Sequence, residues 1–175
     1  MKKALLIIAI LVVGTVKSQV AIGKENITNS SVSLEFSSAE NRGFILPYID
    51  DKSGLTFEGT VIYDTTDHKV KYLKNNSQWT NLSEDDGTAA TIGLADLSIQ
   101  GVDKQEKITA KAGIGILSPT PGILVLEASD KAMILPKVAS PHLNIINPAA
   151  GMMVYDTAKR QLAVYNGKVW TFWKP

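Results

Sequence analysis

The sequence contains no cysteine. That absence excludes a disulfide framework, a thiolate metal site and lipid attachment through a lipobox thiol. Histidine is nearly absent as well: the chain has two, His68 in a polar turn and His142 after Pro141. Neither has a second histidine or a carboxylate at ligand spacing, so both read as solvated loop residues and not as metal ligands or acid–base groups. The acidic runs Asp50-Asp51 and Glu84–Asp86 lack the spacing of a calcium loop and read as exposed turns. There is no phosphate-cradling glycine loop: "GIGIL" at Gly113–Leu117 has no third glycine and no helix-forming run after it. No serine stands in G-x-S-x-G. These absences predict no enzyme, no metal and no cofactor.

Basic clusters are missing too, which argues against nucleic acid and anionic membrane surfaces as partners. Only one long apolar run exists, "ALLIIAILVV" from Ala4 to Val13. It is too short for a bilayer span, which takes roughly 20 residues. Lys2 and Lys3 precede it, and Val16 and Ser18 supply small residues at −3 and −1. The pattern predicts a signal peptide over residues 1–18, cut between Ser18 and Gln19. Cleavage would remove Lys2, Lys3 and Lys17, three of the 18 basic residues and none of the 17 acidic ones, so the formal charge moves from +1 to −2. The expected destination is outside the cytoplasm: extracellular, cell surface or periplasmic, with no membrane insertion after cleavage.

What the sequence does have is an internal repeat. "VAIG" ending at Gly23 recurs as "AGIG" ending at Gly115, and Leu34 in "SLEF" aligns with Leu126 in "VLEA". "FILP" ending at Pro47 recurs as "MILP" ending at Pro136. "VIYDTT" recurs as "MVYDTA", aligning Tyr63 with Tyr155, and Trp79 aligns with Trp170. The offsets are 92, 92, 89, 92 and 91. Copy one is expected over 19–83 and copy two over 113–175. Residues 84–112 form a linker or connecting strands, including a short helix-prone stretch "DKQEKITAKA".

Each copy reads as a three-stranded antiparallel meander. In copy two "MMVY" and "LAVY" are β-leaning runs separated by a polar turn, in which Asp156 can accept backbone N–H bonds. Asn166-Gly167 is a strong hairpin signal and predicts a type I′ turn. "KVWTFW" then alternates, setting Trp170 and Phe172 on one face and Thr171 and Trp173 on the other. Copy one repeats the plan, but Lys71 and Lys74 flank Tyr72 and Leu73 and make it wetter on one side, and its final strand lacks the Phe and second Trp, so copy two is expected to be the better buried. Pro47 and Pro136 each end an extended segment. The expected class is all-β, duplicated meanders with little helix. Trp79 and Trp170 are expected to fill the meander cores, while Trp173 is the candidate partner-facing aromatic.

These landmarks resemble a type of secreted Bacteroidota repeat protein with the pattern "QVGIG", a pre-proline segment, "NP-tG-l-Y-t" and "YnG--W". The matching residues are "QVAIG" at Gln19–Gly23, "NPAAGMMVYDT" at Asn147–Thr157 and "YNGKVW" at Tyr165–Trp170; copy one lacks the "NP-tG" element. The resemblance implies a tail-fibre-like or adhesin-like β-module of a surface protein, often trimeric. "DTT" and "DTA" also resemble the O-glycosylation motif of such exported proteins, which makes Thr65 and Thr157 candidate acceptors beside the plain Asx-turn reading.

A lone three-stranded meander buries little surface, so self-association is expected: a homo-oligomer, with a trimer or other surface proteins as the partner classes. The function reading is a non-enzymatic structural or adhesive surface protein. The alternative is a carbohydrate-binding module in which exposed aromatics take a glycan.

Overall fold

A computed structural model describes residues 19–84, 110–115 and 118–174. The expected signal segment with Ser18, the acidic Asp85-Asp86 and the connecting stretch 85–109, with most of its helix-prone part, lie outside the described residues. The described chain is all-β. Seven strands precede the connecting stretch: β1 Val20–Ile22, β2 Val32–Phe36, β3 Phe44–Ile45, β4 Tyr48–Ile49, β5 Val61–Asp64, β6 Lys69–Leu73 and β7 Trp79–Asn81. Seven follow it: β8 Ala112–Gly115, β9 Leu124–Glu127, β10 Ala132–Ile134, β11 Lys137–Val138, β12 Met152–Asp156, β13 Gln161–Tyr165 and β14 Trp170–Trp173. One four-residue helix, α1 at Pro141–Asn144, interrupts the second set.

The pairing repeats with the sequence. β1 and β2 are parallel, as are β8 and β9. β4 lies parallel on β5, which continues antiparallel into β6 and β7. β11 lies parallel on β12, which continues into β13 and β14 in the same way. The turn chemistry explains the two first hairpins. Asp64 Oδ1 accepts the Thr66 amide at 3.0 Å and Asp156 Oδ1 accepts the Ala158 amide at 2.9 Å, an Asx turn in both. Each turn closes on a left-handed residue, His68 at φ 56° and Arg160 at φ 57°.

The last hairpin of copy two departs from the expected type I′ turn, which needs positive φ at both central residues. Among the two, only Gly167 has it, at 99°. The connection is longer, Asn166 to Val169, and Asn166 caps it with its side chain: Oδ1 accepts the Lys168 amide at 2.9 Å and the Val169 amide at 2.8 Å. Local side-chain capping has displaced the two-residue turn.

The two copies share their core. One buried cluster joins Leu46, Tyr63 and Val70 of copy one to Ala150, Met153 and Val164 of copy two. A second gathers Val138, Ile145, Met152, Val154 and Ala163. Copy two is no better buried than copy one: Ile62, Tyr63, Val70 and Leu73 are each at most 2 % exposed, and Val154, Ala163 and Val164 are fully buried. The reason is that the two meanders cover each other. Trp79 and Trp170 do not fill the cores either. Both are half-buried; Trp170 rests at the margin of the second cluster against Tyr165, with ring centroids 5.1 Å apart.

Candidate assembly surface

The pre-proline strands define how the copies meet. Residues before proline favour extended backbone, and β3 and β10 both stop immediately before Leu-Pro. Each reaches across to the other copy. β3 pairs antiparallel with β12, Met152 opposite Ile45 and Met153 opposite Phe44. β10 pairs parallel with β2. After the proline each chain segment returns to its own meander, and Pro47 O accepts the Tyr63 amide at 2.9 Å just as Pro136 O accepts the Tyr155 amide at 2.8 Å.

Around β3, five residues of copy one dock on copy two. Phe44 and Ile45 supply the strand, and the Leu46 amide donates to Gly151 O at 3.2 Å. The Tyr48 hydroxyl donates to Ala150 O at 3.0 Å and the fully buried Tyr63 hydroxyl to Asn166 O at 2.9 Å. Gly151 permits the approach: a Cβ there would sit 2.9 Å from Tyr63 Cβ, and its φ is +74°. Asn166 is tied to copy one a second time, Nδ2 donating to Glu84 O at 3.1 Å.

Buried carboxylates stiffen both copies, Glu35 and Asp64 in copy one and Asp156 in copy two. Burial would raise the pKa of Asp64, but Lys52, Lys71 and Thr66 overcome it and hold the carboxyl well below the usual range. Lys71 Nζ lies 2.7 Å from Asp64 and also pairs with Asp67. Among the described residues no lysine pairs with Asp156. Burial again opposes ionisation, and the amides of Ser140, Ala158 and Lys159 with the Gln161 side chain depress its pKa instead. Glu35, 3 % exposed, is lowered chiefly by Lys24 at 2.6 Å and by the Thr28 amide. Its counterpart Glu127 accepts from Ser118.

The other predicted residues fall as follows. Gln19 Nε2 donates to Ser30 O and Val32 O, both at 2.8 Å. Thr65 is half-buried and its hydroxyl donates to Ile49 O at 3.1 Å, whereas Thr157 is exposed. Trp173 is 41 % exposed, and its indole N–H donates to Leu82 O at the end of copy one. On the same face Thr171 Oγ1 accepts the Glu84 amide at 3.0 Å. His68 is half-buried beside Tyr63, and exposed His142 stands edge-on to Phe172 with centroids 5.6 Å apart. Among the described residues no three acidic or histidine side chains form a metal-binding group. Sequence reasoning missed Lys52 and Lys71; a lysine on the apolar strand β6, opposite the "YDT" aspartate's turn, was the available signal.

Sheet edges and apolar surface remain open. Val20 and Ile22 of β1, Ile123 and Leu124 at β9, and Ile45, Tyr155, Phe172 and Trp173 are all more than a third exposed. Such surface on a strand edge is a pairing site.

Residues 113–174 match the family described as "Phage tail like trimerisation region". No curated protein and no solved structure matches the chain.

Proposed function

We propose that this protein is an exported, non-enzymatic structural component of a fibre-like surface assembly, built by self-association into a trimer. The observation that carries the reading is the coincidence of two features in copy two. The stretch similar to a phage-tail-like trimerisation region also carries strand-edge and aromatic residues that stay exposed in the single chain, Tyr155, Phe172 and Trp173 among them. The buried carboxylates Glu35, Asp64 and Asp156 are engaged in turns and ion pairs within the fold, as expected of a scaffold. The charged N-terminus and apolar run of residues 2–13 support export. Static light scattering of the purified chain at micromolar concentration tests the reading. A particle of three chain masses supports it, and a strict monomer overturns it.

An adhesive role for the assembled particle rests on Trp173, whose indole face is partly open although its N–H is engaged. A sugar ring can stack on such a face. Trp173→Ala should then abolish glycan binding on an array while leaving the particle mass unchanged; no binding by either form removes the carbohydrate reading. Thr157 is the more accessible of the two candidate glycan acceptors, and intact-mass measurement of the exported protein tests it.

A further inference from the structure

The five residues around β3 that dock on copy two have five counterparts in copy two. Phe44, Ile45, Leu46 and Tyr48 correspond, at offset 89, to Met133, Ile134, Leu135 and Lys137, and Tyr63 corresponds to Tyr155 at offset 92. Those five counterparts, and no others, line an open groove of about 440 Å³. Tyr63 is fully buried in its dock, while Tyr155 is 36 % exposed. Copy two therefore carries a complete docking face with nothing docked on it among the described residues.

The receiving side is also present and, among the described residues, also vacant. Gly151, against which Tyr63 packs, corresponds to Gly59. Gly59 has the same left-handed backbone, φ +80°, yet an added Cβ there would meet nothing within 4 Å. Met152 and Met153, which receive β3, correspond to Thr60 and Val61. β5 is covered on that edge only further along, where Tyr48 and Ile49 lie beside Tyr63 and Asp64. Ala150 corresponds to Glu58, whose exposed carboxylate suits Lys137, the groove residue that stands in place of Tyr48.

We infer that the copy-two groove of one chain receives the Glu58–Val61 edge of a second copy of this chain. Strand β10 pairs antiparallel with the start of β5, Met133 opposite Val61 and Ile134 opposite Thr60, and Tyr155 packs on Gly59. β10 keeps β2 on its other edge, so the contact extends an existing sheet. The interface is head-to-tail, since the two surfaces differ; it repeats between chains the contact already made within one. Such an interface closes into a ring or propagates as a filament. The inference rests on the self-association proposed above, and it specifies the surfaces.

The cysteine-free sequence makes the test direct. Directly opposed residues of an antiparallel pair have Cα atoms roughly 4.5–5.5 Å apart, within disulfide range of about 4.4–6.8 Å. Val61→Cys and Met133→Cys are made as separate single variants, mixed after partial denaturation and reassembly, and oxidised. The expected result is a heterologous covalent dimer on a non-reducing gel, absent from either variant alone. The Phe44→Cys/Met153→Cys double variant should close within one chain and reports that the intrachain dock has formed. If light scattering shows oligomers, the control closes and the mixture gives no cross-link, this interface is wrong while self-association stands. If a Val61→Cys/Met133→Cys double variant closes within a monomer, the interface is likewise wrong. A strict monomer overturns both readings.

Discussion

Tyr63 and Tyr155 occupy the same place in two copies of one sentence, and only the first is buried. The difference lies in what stands opposite each. Tyr63 meets Gly151, Ala150 and Asn166 of copy two; Tyr155 faces a groove. A duplicated unit that docks head to tail necessarily leaves one docking face and one receiving edge unused at its ends. The comparison teaches that burial here is set by what stands opposite each residue more than by the local sequence, which is nearly the same around both tyrosines.

The largest test of that contrast is to truncate both tyrosines. Tyr63→Ala should lower unfolding free energy by about 3–5 kcal/mol, the range for large aromatic side chains removed from a core. Tyr155→Ala should cost under about 1 kcal/mol in the dissociated chain while weakening assembly. Thermal melts and light scattering on each variant separate the two effects; equal destabilisation would erase the contrast.

The two glycines give a smaller contrast. Both need positive φ, so alanine strains either by about 1–2 kcal/mol. Gly151→Ala should cost at least 1 kcal/mol more, because the new Cβ meets Tyr63, whereas nothing stands near Gly59. Urea denaturation at low protein concentration reads the difference.

Asp64 and Asp156 sharpen it further. Asp64→Asn leaves the Lys71 ammonium, 11 % exposed, with Asp67 alone and should cost about 2 kcal/mol, discounted for the partial exposure of Lys52 and Lys71. Asp156→Asn keeps an oxygen for the amides of Ser140 and Ala158 and should cost about 1 kcal/mol or less. Chemical denaturation of each variant at neutral pH gives both values.

The smallest effect is in pH. Both carboxyls have folded pKa values below their unfolded values, so their contribution is fully present above the unfolded pKa near 3.8. It is lost as pH falls from there toward the folded values. The acid limb of the stability curve should be shallower in Asp64→Asn than in Asp156→Asn; an identical limb in both would contradict the assignment.

The sequence made the meanders legible because their causes are local: alternation, an Asx turn at each "YDT", glycine and asparagine between strands. It also showed that Pro47 and Pro136 end extended runs. It could not show where those runs go, because β3 on β12 and β10 on β2 are long-range pairings that no short pattern encodes. The sign of φ at Asn166 was hidden for a related reason. That residue answers to its own side-chain bonds and to Tyr63 and Glu84, the latter two more than 80 positions away. The tryptophans misled because size suggested a core, while the shared core was filled by Tyr63 and the aliphatic residues around it.

The central claim is that the single chain is an incomplete structure whose vacant dock and vacant edge are filled by other copies. Native mass spectrometry of the purified chain at micromolar concentration tests it most directly. The account predicts a dominant species of three chains that dissociates on Tyr155→Ala; a wild-type spectrum containing only the one-chain species would contradict it.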